Sequence, residues 1–101
     1  MSKALQKGAD KAAADLALLA NPRRLRLLCR LAEGEASVLE LAAAVGLSQS
    51  AMSQHLALLR SSRMVATRRE GTQILYRLLD AKVARLLALL HDIYCAKEAK
   101  K

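Results

Sequence analysis

Apolar residues recur every three or four positions through most of the chain, which is the spacing of one face of a helix. In one short stretch they instead alternate with polar residues, which is the spacing of a β-strand. Together with capping residues and glycines, this pattern predicts five helices and one β-hairpin. The helices are predicted at about residues 10–20, 22–33, 38–45, 49–60 and 81–96, and the hairpin strands at 65–69 and 72–78 around Glu70 and Gly71.

Capping residues divide the middle of the chain into two helices joined by a tight turn. Ser37, with Glu40 three residues later, has the form of a capping box that opens the third helix. Gly46 can adopt the left-handed conformation that ends this helix, and Ser48 can cap the next one almost at once. Helices joined by so short a turn must cross steeply, so we predict a helix-turn-helix.

The second and last helices carry the apolar stripes that decide packing. The second begins with Asn21 as N-cap and Pro22 at its first position, and ends at Gly34. Its predicted stripe consists of Leu25, Leu28, Cys29 and Ala32. The last helix, capped by Asp80, has a stripe too wide to pack against one small domain. We interpret the excess as a dimer surface shared with the first helix, and ordinary core is the alternative.

Length and composition limit the fold class. A chain of 101 residues fits one domain, which we take as residues 1–101 with frayed ends at 1–9 and 97–101. Ala and Leu dominate, and two tyrosines are the only aromatic residues, which favours helices over sheet. The predicted fold is therefore mainly α: a winged helix-turn-helix with about five helices, a two-stranded β-hairpin wing and a dimer through the first and last helices.

The charge of the chain favours a polyanionic partner, either nucleic acid or an anionic membrane surface. The formal net charge is +8, and half of it lies within residues 48–79. A solvated basic surface is the alternative. No apolar run approaches the ~20 residues that cross a bilayer, and no signal-peptide segment opens the chain. We therefore expect a cytoplasmic protein without a membrane partner, whose thiols are kept reduced.

The second helix of the pair suits a DNA groove. No acidic residue lies between Ser48 and Arg63, and Met52, Leu56 and Leu59 are predicted to face the core. Amide and hydroxyl side chains then face outward, where they suit base edges and phosphates. The predicted DNA-binding residues are Gln49, Ser50, Ser53, Gln54, His55, Arg60 and Arg63, with Arg68, Arg69, Thr72 and Gln73 on the wing.

The wing is expected to place its two adjacent arginines, Arg68 and Arg69, together in a minor groove. A polar solvated helix beside a merely basic hairpin is the alternative to DNA binding. The sequence has no acid pair, glycine-rich phosphate loop or activated Ser/His set, so we predict no catalytic residue, no cofactor and no enzyme activity.

Three stretches resemble the ArsR family of bacterial winged-helix repressors. They are Leu19–Leu28 (LANPRRLRLL), Gly46–Leu56 (GLSQSAMSQHL) and the end of the wing, Tyr76–Leu78. The resemblance covers about residues 10–96. It implies a homodimer, joined through the first and last helices, that binds a partly palindromic operator in double-stranded DNA and leaves it when an inducer arrives.

The metal sites of that family are not matched here. Its arsenic-type site needs a Cys-x-Cys cluster where this chain reads Val38–Ala42, without a thiol. Its zinc-type site opens the last helix with Asp-x-His. Asp80 is present, but Lys82 stands in the histidine position and its ammonium repels a cation. We therefore predict no bound metal.

The two cysteines, Cys29 and Cys95, are candidate redox sensors. From the residues alone they are small buried hydrophobes, because free cysteine commonly packs in cores. Their placement in the second and last helices resembles the sulfide- and persulfide-sensing branch of the family, the SqrR- and BigR-like repressors, with HlyU as a redox relative. That resemblance implies a di- or polysulfide bridge between them, formed by reactive sulfur species as inducer, which releases the DNA.

Alternatives to the sensor remain open. The same repressor fold can carry inert thiols, or respond to another oxidant, haem or a metal, and a basic helical protein-interaction module is the rival from another class.

Arg26 and Arg30 lie near Cys29 in sequence, so we expect them to favour its thiolate.

Overall fold

The computed structural model describes residues 2–99, without the side chains of Leu5 and of residues 96–99. These residues form five helices and three strands. In chain order they are α1 (Lys3–Leu19), α2 (Pro22–Ala32), β1 (Ala36–Ser37), α3 (Val38–Val45), α4 (Gln49–Ser61), β2 (Val65–Glu70), β3 (Gln73–Leu78) and α5 (Ala81–Ala99). The predicted fold class, mainly α with a helix-turn-helix and a hairpin wing, is confirmed.

Caps hold the helix-turn-helix where the sequence predicts it. The Glu40 amide donates to Ser37 Oγ at 3.2 Å, and the Ser37 amide donates to Glu40 Oε1 at 2.9 Å, which completes the capping box. Gly46 ends α3 with φ 80° and ψ 36°. Two residues later, Ser48 Oγ accepts from the Ala51 amide at 3.0 Å and opens α4.

The other predicted caps are also present. Asn21 Oδ1 accepts from the amides of Arg23 and Arg24 at the start of α2, and Asp80 Oδ1 accepts from the Lys82 amide at 2.8 Å before α5. The helix α1 begins at Lys3, inside the segment 1–9 that we expected to fray, so its start lies earlier than the apolar spacing indicates. Of the tail 97–101 that we expected to fray, residues 97–99 belong to α5, and residues 100 and 101 lie outside the described residues.

The wing is the antiparallel pair β2 and β3, and a third strand joins it to the body. The strand order is β1-β3-β2, with Ala36 opposite Tyr76 and Ser37 opposite Leu75. The strand β1 is not predictable from the sequence, because two residues are too short to show an alternating pattern. Both of its residues are buried, so the base of the wing is part of the core.

The core is built from one face of each helix together with the base of the sheet. In α2 the buried residues are Leu27, Leu28 and Leu31. Of the predicted stripe, Leu28 is buried as expected, but Leu25 is only partly buried, and the prediction is wrong for Cys29 and Ala32, which are exposed. The direct cause is an open groove between α2 and α5, which leaves this side of α2 uncovered.

Helix α5 packs with Val83 and Leu87 and leaves other apolar side chains uncovered. The exposed fraction is 54% for Leu89, 61% for Ile93 and 77% for Tyr94, and Leu16 of α1 is 53% exposed. The excess apolar surface predicted for the last helix thus lies outside the core of one chain. Within residues 2–99, no helix is both long and apolar enough to cross a membrane.

Replacing Gly46 by alanine tests the turn of the helix-turn-helix. A Cβ there meets no atom within 4 Å, but the positive φ of 80° is strained for any L side chain, so we expect a loss of about 1 kcal/mol in the free energy of unfolding. The matched change Gly8→Ala, in the interior of α1 and equally free of contacts, should instead gain about 0.5 kcal/mol. Urea unfolding at one fixed protein concentration measures both, and equal effects of the two changes would contradict this account.

Candidate nucleic-acid interface and thiol groove

Helix α4 presents a polar face opposite its buried one. Met52, Leu56 and Leu59 are fully buried, as predicted, and they fix the rotation of the helix. The opposite face carries exposed polar side chains that line a shallow, open depression: Gln49, Ser50, Ser53 and Gln54. Four of the predicted DNA-binding residues are therefore brought together on one surface, although their binding of DNA stays a prediction.

This polar face continues towards the wing. A second shallow depression shares Ser53 and Ala57 with the first and is completed by Arg60, Ser61 and Tyr76 of β3. Arg63 follows in the turn to β2, where it is exposed and has a positive φ of 61°. Recognition-helix candidates and the wing thus form one continuous surface.

His55 lies apart from the exposed face of α4. It is partly buried, and burial lowers the pKa of its imidazole, which the positive charges of Arg24 and Arg23 lower further. The ring therefore lies towards the start of α2. Its neighbours are two arginines that the sequence analysis did not include among the candidates.

The hairpin places the two arginines of the wing on opposite faces, because side chains alternate along a strand. Arg69 shares its face with Thr67 and with Tyr76, which lies opposite Thr67. Arg68 lies on the other face, where its guanidinium donates to Glu35 at 2.7 and 2.9 Å and to Glu70 at 3.0 Å. The structure therefore does not bring Arg68 and Arg69 into one groove-entering pair. Thr72 and Gln73 are exposed at the hairpin turn.

The two arginines differ in their contacts with carboxylates. Among the described side chains, no carboxylate lies within ion-pair distance of Arg69, whereas Arg68 contacts two. The hydrogen bonds from Arg68 lower the pKa of the Glu35 carboxyl, and the acids in turn raise the pKa of Arg68. Glu35 is a residue that sequence reasoning missed, because its partner is 33 positions away.

The thiol of Cys29 opens into a groove of about 450 Å³ between α2 and α5. The groove is lined by Cys29, Ala32, Glu33, Ala84, Leu87, Ala88, His91 and Asp92. Cys95 is partly buried and follows His91 by one helical turn, so it lies on the same face of α5. Both cysteines are free thiols. The structure thus brings the two candidate sensors to one side of the subunit.

The environment of Cys29 favours the neutral thiol. Partial burial raises the pKa of Cys29, and negative charge on Cys95 and on Glu33 raises it further. The expectation that Arg26 and Arg30 favour the thiolate is therefore wrong. Arg30 instead donates through Nη1 to the Gly34 carbonyl oxygen at 3.1 Å. The response of Cys29 to the charge of Cys95 means that the sulfurs are near enough to interact electrostatically.

Metal-binding groups do not gather in the part of the chain whose side chains are described. No three His, Cys, Asp or Glu side chains there lie close enough together to hold an ion. His91 and Asp92, both at the thiol groove, are adjacent on a helix and so project in different directions.

A helix-turn-helix followed by a β-hairpin, with the outer face of its second helix polar and basic, defines the winged-helix class of domain. Residues 21–67 match the family described as "Bacterial regulatory protein, arsR family". The chain is also 48% identical over 95 residues to the biofilm growth-associated repressor of Agrobacterium fabrum, which covers 94% of this chain and 81% of that protein. The protein belongs to the ArsR family of bacterial regulatory proteins.

Solved structures of related regulators have the same fold. Reduced HlyU from Vibrio cholerae matches with a TM-score of 0.86 and 44% identity, covering 93% of this chain and 99% of that one. A homodimeric winged helix-turn-helix DNA-binding domain from Mycobacterium bovis matches with a TM-score of 0.77 and 39% identity, covering 92% of this chain and 86% of that one. The predicted membership of the HlyU-related branch of the family is thereby confirmed.

The change Cys95→Ser tests whether the two sulfurs are neighbours. Because negative charge on Cys95 raises the pKa of Cys29, its removal should lower that pKa and speed alkylation of Cys29 at mildly alkaline pH. The rate of iodoacetamide labelling of the Cys29 peptide, followed by mass spectrometry across pH, measures the shift. Glu33→Gln is the positive control, since Glu33 acts in the same direction. A pKa that falls in Glu33→Gln but not in Cys95→Ser would contradict the placement of the sulfurs.

Proposed function

We propose that this protein is a homodimeric transcriptional repressor that acts in the cytoplasm, binds a partly palindromic operator and is released when Cys29 and Cys95 are oxidised by a reactive sulfur species. The observation that carries the DNA-binding part is the continuous surface from the outer face of α4 to the wing. This surface has amides and hydroxyls for base edges at one end and Arg60 beside β3 at the other.

A homodimer accounts for the uncovered apolar side chains. Leu89, Ile93 and Tyr94 of α5 and Leu16 of α1 are more than half exposed, and a chain of this size gains burial by covering them in a dimer. The related domain from Mycobacterium bovis is described as homodimeric. A twofold dimer also presents two copies of α4, which fits an operator with two half-sites about one helical turn apart.

The sensor part of the proposal depends on the thiol groove. Cys29 is exposed to solvent there, so a small sulfur donor can reach it. Cys95 stands on the facing helix, and its charge influences Cys29. A bridge between them would join α2, which precedes the helix-turn-helix, to α5, which carries the proposed dimer surface. Oxidation would then alter the spacing of the two copies of α4.

The proposed chemistry needs only a persulfide, RSSH. One thiolate attacks the outer sulfur of the donor, whose S–S bond breaks, so that RSH leaves and the cysteine carries the added sulfur. The second thiol then attacks the cysteine sulfur of that persulfide and expels H2S, which leaves a disulfide. Two thiols lose two electrons and the transferred sulfur gains them. If a second donor adds another sulfur before closure, the same displacement gives a trisulfide.

Two single changes should separate base reading from phosphate binding. Gln54→Ala should weaken binding to a duplex selected from a random library by about 1–3 kcal/mol and leave binding to random duplex almost unchanged. Arg69→Ala should weaken both, and should reduce the slope of log affinity against log salt by about two, one for each subunit of the dimer. Fluorescence anisotropy across salt concentrations measures these effects. Wild-type protein that binds no duplex better than random competitor would contradict sequence-specific binding.

Cysteine variants test the sensor. A glutathione persulfide donor should release the reduced wild-type protein from DNA, while Cys29→Ser and Cys95→Ser should stay bound, because neither can close the bridge. Intact mass spectrometry should show loss of two hydrogens, with or without added sulfur, in the wild type alone. Treatment with peroxide is run in parallel, because peroxide can oxidise the two thiols to a disulfide but adds no sulfur to the mass. Either serine variant leaving DNA like the wild type would contradict the paired-thiol mechanism.

A further inference from the structure

The guanidinium of Arg68 joins the wing to the body of the domain. Nε donates to Glu35 Oε2 at 2.7 Å and Nη2 donates to Glu35 Oε1 at 2.9 Å, which is a two-point contact. Nη1 donates to Glu70 Oε2 at 3.0 Å. All three nitrogens of the guanidinium therefore have carboxylate partners, and none is left without one.

The position of this contact in the sheet is specific. Arg68 pairs with Leu75, and of the β3 residues that also pair with β1, Leu75, opposite Ser37, is the one nearer the hairpin turn. Beyond this point the sheet has only two strands. Glu35 immediately precedes β1, so the side chain of Arg68 reaches across the central strand β3 to the far edge. The contact therefore lies where the sheet changes from three strands to the two strands of the hairpin.

The charges at this point argue against a role in attracting DNA. Arg68 and Arg77 share this face of the sheet with Glu35 and Glu70, so the two positive and two negative charges cancel, and the cluster lies on the face opposite Arg69. An ion pair this exposed also contributes little to the stability of the fold. What a two-point contact does supply is a fixed geometry between the two elements that it joins.

We propose that Arg68 is a positioning residue, which with Glu35 fixes the wing at the angle at which Arg69 and the hairpin turn meet DNA. This inference rests on the proposed function, because it concerns the same DNA complex. It differs from the expectation drawn from the sequence, in which Arg68 itself binds the duplex.

The change Glu35→Gln distinguishes the two roles by the sign of its effect. If Arg68 binds phosphate, loss of the acid frees the guanidinium and removes a negative charge, so the affinity for DNA rises. If Arg68 positions the wing, the affinity falls, by about fivefold or more. Asp10→Asn is the matched control, since it removes the same charge from the exposed side of α1 and should not weaken binding.

The experiment uses the reduced full-length protein and a duplex of about 30 base pairs, enough for two half-sites, selected from a random library by the wild type. Anisotropy is measured across salt concentrations. Arg68→Ala should weaken binding without changing the salt slope, whereas loss of one phosphate contact in each subunit of the dimer lowers the slope by about two. The double variant Glu35→Gln/Arg68→Ala should be no weaker than Arg68→Ala alone, because the two residues act as one unit.

Equal or tighter binding by Glu35→Gln, or a lower salt slope in Arg68→Ala, overturns the inference while the proposed function stands. If the wild type binds no duplex, the proposed function is wrong and the inference falls with it. Urea unfolding of each variant accompanies the binding measurements. Weaker binding at an unchanged urea midpoint, with the salt slope retained, supports the positioning role.

Discussion

The burial of Met52, Leu56 and Leu59 is the constraint on which the rest of the structure depends. These three side chains lie on one face of α4 and are fully enclosed by the core. Their packing sets the rotation of the helix about its own axis, because any other rotation would expose apolar area to water. The polar face of α4 points outward as a result, and the turn after the helix directs the chain into the hairpin beside it.

The thiol groove combines accessibility with a low content of thiolate. Cys29 is exposed, yet its pKa is raised by burial of part of the side chain and by negative charge on Cys95 and on Glu33. Because the thiolate is the reacting form, this raised pKa lowers the fraction of Cys29 that can attack a donor at neutral pH.

Features set by neighbouring residues could be predicted from the sequence, and features set by distant contacts could not. The capping box at Ser37 and the left-handed Gly46 are local, and both were predicted correctly. The strand β1 forms only because β3 lies beside it. The pKa of Cys29 depends on which of its neighbours turn towards it, and sequence distance wrongly favoured the arginines. The partner of Arg68 lies on another element altogether, so a pair of adjacent arginines suggested a shared role that the alternation of the strand does not allow.

The end of α2 connects Cys29 to Glu35 through a short segment of backbone. Cys29 is followed directly by Arg30, whose side chain holds the Gly34 carbonyl, and Glu35 is the next residue. A rotation of the last turn of α2 would therefore move Glu35, which is six residues after Cys29 and whose carboxylate accepts hydrogen bonds from Arg68. If the proposed bridge at Cys29 displaces this turn, it also displaces the carboxylate that binds Arg68, so the proposed sulfur chemistry and the tilt of the hairpin would share one short segment of backbone.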